Sequence, residues 1–292
     1  MSVDGALAAA PVPAERAFKV LGGHSGAALV LCEGAGRSVV RKTAAAPAAN
    51  LRLRQQAIKQ RLLAAQGFAF PAVHRIGADD TGRAFFEMDY VPARTLAEIV
   101  AGAVPCGRDA ILGAVAHFVR ACSALSASTI PAAAFRAKIE SIAATVPGDA
   151  AVAGVARELL ARGWSDIPHS PDHGDLTLEN ILLAPDQSVV FIDCDVAWVS
   201  SWWLDLAKLF QDLEGHWCLR AVPSPSIDAL ERLRLFAADF RRLAQALDPA
   251  LPRRLAQLAA LHLLRTLPYA RDRATAAFAA AAASRLLKDG AS

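Results

Sequence analysis

The 292-residue sequence predicts an α+β protein of two lobes, a small β-rich N-terminal one and a large, mostly helical C-terminal one. Three observations carry this reading. Short β-like runs and glycine turns fill the first 90 residues around one helical segment. From Thr95 the texture changes to long alanine- and leucine-rich helices. One β-like island, 169–199, interrupts those helices.

In chain order, 17–20 and 27–33 are short β-like runs around the glycine turn Gly22-Gly23-His24-Ser25-Gly26. Gly34-Ala35-Gly36 makes a turn before the strand 38–42, which is a hairpin signal. The segment 51–65 reads as an amphipathic helix, with Leu51, Ala57, Ile58, Leu62 and Ala65 on one face and Arg52, Arg54, Lys59 and Arg61 mostly elsewhere. Gly67 ends it, and 71–76 and 83–90 are two further strands. Helices follow at 96–101, 108–127, 132–144 and 149–162, and resume from 204 to the end with turns at Pro223-Ser224-Pro225, 248–252 and Pro268. The expected boundaries are a flexible tail at 1–14, an N-lobe at 15–91, a hinge near 89–92 and a C-lobe at 92–292.

Composition excludes several classes. Hydrophobic residues make up 54%, much of it alanine, yet no uninterrupted apolar run reaches the roughly 18 residues that cross a bilayer. The Ala/Pro-rich start lacks the basic and apolar regions of a signal peptide, so a cytoplasmic protein without a membrane partner is expected. Five scattered cysteines without a C-x-x-C pair indicate neither a zinc site nor a disulfide framework, only buried free thiols. A net charge of +3 with no dense Lys/Arg run argues against nucleic acid as a partner.

The strongest motif is His173-Gly174-Asp175-Leu176-Thr177-Leu178-Glu179-Asn180, followed by the apolar run Val189-Val190-Phe191-Ile192 and then Asp193-Cys194-Asp195. The spacing H-x-D-x-x-x-x-N matches the kinase catalytic loop, in which an aspartate receives the acceptor hydroxyl's proton and an asparagine five residues on binds magnesium. A transferred phosphoryl spreads negative charge, so the protein must supply metal ligands and positioning rather than covalent chemistry.

With Asp205-Leu206-Ala207 downstream, these residues resemble the aminoglycoside phosphotransferase and choline/fructosamine kinase branch of the protein-kinase-like superfamily, over roughly 18–213. Thr177 stands where that family usually has a second histidine, and Leu178-Glu179 where it has Pro-Gly. The resemblance implies a bilobal kinase-like fold that uses ATP and Mg2+. It makes Asp175 the catalytic base, Asn180 and Asp193 metal ligands, and Asp195 an auxiliary one. Asp205 would fix the loop by accepting its backbone N–H groups, and His173 would brace it.

Upstream, Lys42 resembles the lysine that grips the α/β-phosphates, exposed in the cleft, with Arg41 turned away by strand alternation. Gly22, Gly23, Ser25 and Gly26 resemble the turn that covers the phosphates. The family's helix glutamate is missing. Gln56, about two turns before Leu63, takes its place, with Gln55 as the rival. The backbone of Glu87, Asp89 and Tyr90 would read the adenine edge as the hinge.

Three other readings are weaker. Asp193-Cys194-Asp195 resembles the nucleophile motif of haloacid dehalogenase-like phosphatases, but fewer than 100 residues follow, nearly all helical. A pseudokinase usually lacks the base, a metal ligand or the lysine, and all are present here. A protein kinase needs a peptide-docking activation segment, and only eleven residues separate Asp193 from Asp205. The acceptor is therefore a small molecule with a free hydroxyl, of sugar, polyol or amino-alcohol type. Residues 216–292 hold twelve Lys/Arg against six Asp/Glu, which disfavours a polycation and leans towards a neutral or already phosphorylated compound. Trp198, Trp202 and Trp203 are either a wall beside the acceptor or core packing.

Overall fold

The computed structural model describes residues 16–21, 26–34, 37–102, 107–146, 148–270 and 272–290. The expected tail, Gly22, Gly23, Ser25 and Cys106 lie outside them. The chain divides into two compact units, Met1–Gly67 with Pro71–Val91, and Phe68–Phe70 with Pro92–Ser292.

The first unit is a five-stranded antiparallel sheet of β1 (Arg16–Leu21), β2 (Ala28–Gly34), β3 (Arg37–Thr43), β4 (Val73–Ala78) and β5 (Ala84–Asp89), in the order β1-β2-β3-β5-β4. Alternation along β3 and β5 sends Val40, Phe86 and Met88 to one face, where they meet Leu53 and Ala57 of α1 (Asn50–Ala65). The start of that helix is clamped by Asn50, whose Nδ2 donates to Gly82 O (2.8 Å) and whose Oδ1 accepts from Ala84 N (2.7 Å).

The face of α1 is a correction. Its buried residues are Leu53, Gln56, Ala57, Gln60 and Leu63, while Leu51, Ile58 and Leu62 point to solvent. The apolar stripe misleads because the inward face carries two glutamines with partners inside the fold. Gln60 Nε2 donates to Pro71 O at 2.7 Å, and Gln56 meets Lys42.

In the second unit, β6 (Arg94–Thr95) leads into α2 (Leu96–Ala101) through a capping box of Thr95 and Glu98. Then come α3 (Arg108–Ala124), β7 (Ser128–Thr129), α4 (Ala132–Thr145) and α5 (Ala150–Ala161). The expected β island is thinner than its sequence suggests: β8 (Pro168–His169), β9 (Ile181–Leu183) and β10 (Val189–Phe191), joined by irregular backbone. β9 pairs with both β10 and β6, and β7 pairs with β8. Four helices complete the described chain: α6 (Trp202–Leu213), α7 (Ile227–Leu247), α8 (Pro252–Thr266) and α9 (Arg273–Asp289). Ser201, Ser226 and Asp272 cap three of them with side-chain acceptors. Among the described residues no helix is long and apolar enough to cross a membrane. The mixture of a small antiparallel sheet unit and a helical unit leaves no place for the doubly wound sheet that a dehalogenase-like phosphatase needs.

Candidate active site

The chemistry-bearing loop, 173–180, is held by one face of α6. Asp205, Lys208 and Asp212 are spaced i, i+3 and i+7, which stacks them along the same side of a helix. Asp205 Oδ2 accepts from His173 N–H (2.6 Å) and its Oδ1 from Gly174 N–H (2.9 Å), as expected from the sequence. Gly174 stands at φ +88°, a conformation costing most L-residues about 1–2 kcal/mol, so the loop turns back there without strain. Two turns along α6, Asp212 Oδ2 accepts from Leu178 N–H at 2.7 Å. The helix thereby satisfies buried N–H donors at both ends of the loop.

Between these anchors, Lys208 Nζ lies 2.8 Å from Asp175 Oδ1, the lysine 12% and the aspartate 36% exposed. Burial pushes the Asp175 carboxyl up, but above all the charge and hydrogen bond of Lys208 hold it below the usual carboxylate range. Asp175 is thus an ionised carboxylate held against a cation.

Asn180 completes the loop. Its Nδ2 donates to Asp175 O (2.8 Å) and to Asp175 Oδ2 (3.0 Å), so the amide's Oδ1 takes no part in its contact with Asp175. The His173 ring is fully buried against Phe70, Phe118 and Phe191, and its Nδ1 accepts from Asp175 N–H at 3.3 Å. The end of β10 is tied to the same loop. Ile192 N–H donates to Asn180 O (3.0 Å) and Asp195 N–H to His173 O (2.9 Å). Asp193, between them, adopts φ +57°, an uncommon backbone state for a non-glycine residue. Asp195 Oδ1 accepts from Val196 N–H at 2.8 Å.

In the first unit, Lys42 Nζ donates to Gln56 Oε1 at 3.2 Å, and Gln55 is exposed. Lys42 is only 3% exposed, not the exposed lysine expected, because the ammonium stands over the inward face of α1. Arg41 points the other way and pairs with Glu87 at 2.5 Å. The expected hinge segment has two of its N–H groups engaged within the first unit. Asp89 N–H donates to Ala72 O and Tyr90 N–H to Ser38 O, both at 3.1 Å. The Asp89 carboxylate meets His74 Nε2 at 2.7 Å. Glu87 lies inside the ladder, opposite Arg41. Of the glycine turn, Gly26 is described, at φ +74°.

Lys208, Asp212 and Arg265 escaped the sequence reading. The signal for the first two was present: polar residues at the third and seventh positions after Asp205, in a helix otherwise buried all round. Arg265, at the end of α8, is brought to the site by tertiary packing alone. Its Nη1 donates to His262 Nδ1 (3.0 Å), and its guanidinium stands over the Trp198 ring, 5.9 Å from the centroid. Trp202 and Trp203 are core residues of the first turn of α6, whereas Trp198 is partly exposed and packs edge-on to Phe135.

Among the described residues no three His, Cys, Asp or Glu side chains converge on a metal position. Ile192 N–H, donating to Asn180 O, ties the segments of Asn180 and Asp193 together, and the pair offers a cation only side-chain oxygens. That suits Mg2+, which keeps several waters and takes one or two carboxylates together with substrate phosphates.

The model of the phosphotransferase enzyme family, APH, matches residues 17–245. No curated protein matches the chain. Among solved structures, the type VIII aminoglycoside-3'-phosphotransferase is similar at 21% identity, covering 95% of this chain and 94% of that one, with a TM-score of 0.54. A thermostable mutant of the aminoglycoside phosphotransferase APH(4)-Ia, in ternary complex with AMP-PNP and hygromycin B, is similar at 16% identity, covering 95% of each chain, with a TM-score of 0.67. The choline kinase LicA from Streptococcus pneumoniae is similar at 14% identity, covering 95% and 94%, with a TM-score of 0.59. At these identities the likeness is one of fold.

Proposed function

The chain belongs to the phosphotransferase enzyme family, and we propose that it is a small-molecule kinase that moves the γ-phosphoryl of ATP, with Mg2+, onto a hydroxyl of a sugar, polyol or amino-alcohol type of acceptor. The observation that carries this reading is the loop 173–180, which presents Asp175 and Asn180 together and is pinned by Asp205 and Asp212. In the proposed step, the acceptor oxygen forms a bond to the γ-phosphorus while the bond from that phosphorus to the β,γ-bridging oxygen breaks. The electron pair leaves with ADP, and the hydroxyl proton goes to Asp175. Asn180 and Asp193, with Asp195 as auxiliary, would hold Mg2+, which would offset the phosphates' charge when bound.

Asp175 needs position more than basicity, since the transition state is loose and the hydroxyl is acidified only late. A carboxylate held below its usual range suits that task, as it stays ionised across the neutral range. Lys208, touching Asp175, stands beside the path of the phosphoryl and counters its charge. Lys42, steadied by Gln56, grips the α/β-phosphates. The protein acts in the cytoplasm without a membrane or nucleic-acid partner.

The test is Mg2+-dependent ADP formation. Asp175→Asn should lower kcat by about 10²–10⁴-fold, the range for a lost general base. Nucleotide binding without any turnover, in wild type and variant alike, would favour the rival reading of a pseudokinase-like binding module.

A further inference from the structure

The metal side of the loop 173–180 has a tether from beyond α6, and its meaning rests on the reading of Asn180 as an Mg2+ ligand above. We propose that Arg220 is a positioning residue for the metal site, which holds Asn180 in place for Mg2+ through the side chain of Glu179.

Arg220 follows the short 3-10 turn Trp217–Leu219 that comes after α6, and it is held at several points. Its backbone N–H donates to Trp217 O at 3.1 Å, and its Nη1 donates to the same oxygen at 3.0 Å. Its guanidinium stands over the Trp217 ring, 4.6 Å from the centroid. Trp217 in turn packs on Phe278 of α9, with ring centroids 6.4 Å apart. From this fixed place Nη1 reaches Glu179 Oε1 at 2.9 Å, with the arginine side chain 14% and the glutamate 30% exposed. A guanidinium stacked and anchored this way has little rotamer freedom left to lose, so it acts as a clamp rather than as a mobile surface cation.

Glu179 is the middle residue of the 3-10 turn Leu178–Asn180, and one planar peptide joins it to Asn180. At about three residues per turn, neighbouring side chains point roughly 120° apart. Arg220 therefore grips the turn on one side while Asn180 faces another. Asp212 holds the start of the same turn through Leu178 N–H at 2.7 Å, and Thr177 O accepts from Asn180 N–H at 3.0 Å. The Arg220–Glu179 pair adds a side-chain anchor between them, made across 41 residues of sequence. A metal ligand whose support is loose loses affinity for the ion.

Charge alone predicts the opposite of support. A cation beside the loop repels Mg2+, so its removal would tighten the metal. Positioning has the other sign: Mg2+ binds more weakly when Arg220 is lost.

The test is calorimetric titration of the full-length chain with AMP-PNP across a range of free Mg2+, with the melting temperature followed in parallel. The Mg2+ concentration that half-restores nucleotide affinity should rise about tenfold in Arg220→Met, at the low end of the roughly 10–100-fold range for residues that support a metal ligand. Arg220→Lys keeps the charge and loses the fork, so it should show part of that rise through geometry alone. Glu179→Gln should raise the requirement too, and combining it with Arg220→Met should add nothing further, because the two residues act as one clamp. If Arg220→Met does not fold, the lysine and glutamine variants decide in the same direction. An unmoved or lower Mg2+ requirement, with or without a lowered melting temperature, overturns the inference and leaves the kinase reading intact. A wild type whose AMP-PNP affinity ignores Mg2+ overturns both the inference and the metal reading on which it rests.

Discussion

The Lys42 ammonium donates to the Gln56 side-chain oxygen at 3.2 Å, with both side chains buried inside the first unit. A hydrogen bond to a charged group contributes roughly 1.5–3 kcal/mol, yet an amide supplies a dipole where a carboxylate would supply a full charge. Gln56→Glu is therefore expected to preserve or raise ATP turnover, and Gln56→Ala to lower kcat/KM about tenfold. Steady-state kinetics on the two variants decides it. An alanine variant with unaltered kinetics removes Gln56 from the nucleotide site.

The Lys208–Asp175 contact makes a prediction in pH. Lys208 is the chief influence holding the Asp175 carboxyl down against burial. In Lys208→Met that restraint is lost and burial raises the carboxyl. Asp175 works ionised, so the acid limb of the kcat/KM profile should move to higher pH, with the plateau lowered about 10–100-fold by loss of the cation beside the phosphoryl. A lowered plateau with an unmoved acid limb would separate Lys208 from the base.

Much of this site was legible from local spacing. Asp175, Asn180 and Asp193 stand in one continuous motif, and strand alternation holds along β3 and β5. What was hidden depends on contacts distant in sequence. Asp212 reaches Leu178 across 34 residues, and Arg265 of α8 reaches the Trp198 ring. Hydrophobic periodicity misassigned α1 because its inward face spends two of five buried positions on Gln56 and Gln60. Backbone donors are equally opaque to sequence. Nothing in Asp89-Tyr90 announces that both N–H groups are bonded to Ala72 and Ser38.

Asp193→Asn should abolish the magnesium dependence of nucleotide binding, since a neutral amide cannot offset a triphosphate-bound cation's charge. Calorimetric titration of ATP with and without Mg2+ reads this directly. Affinity that remains magnesium-sensitive in the variant counts against Asp193 as a ligand.

Asp205 has a structural role with a measurable size. Its two oxygens satisfy the N–H groups of His173 and Gly174, and the residue is buried. Each buried donor left without a partner costs about 1–3 kcal/mol, so Asp205→Ala should lose roughly 2–6 kcal/mol of unfolding free energy. Urea titration at neutral pH measures it, and a loss below 1 kcal/mol would mean the loop finds other acceptors.

Asp212 places a pH dependence on stability. It is fully buried, with Oδ2 accepting from Leu178 N–H. Burial above all, with the charge of Glu179, raises its carboxyl from 3.8 to about 7, against the Leu178 hydrogen bond and the charges of Lys208 and Arg220. The unfolded chain releases this proton near pH 4, whereas the folded chain keeps it to about 7. Below pH 4 both states hold the proton and the group is neutral to stability. As pH rises through the window from 4 to 7, the unfolded state is the one that gains by ionising, and folding stability falls, by on the order of 4 kcal/mol in full. Asp212→Asn keeps an oxygen for Leu178 N–H and removes the titration. The variant's melting temperature relative to wild type should therefore climb by several degrees between pH 5 and pH 8 at constant ionic strength. A difference that stays flat over that range would show that Asp212 is ionised throughout, held so by Lys208 and Arg220.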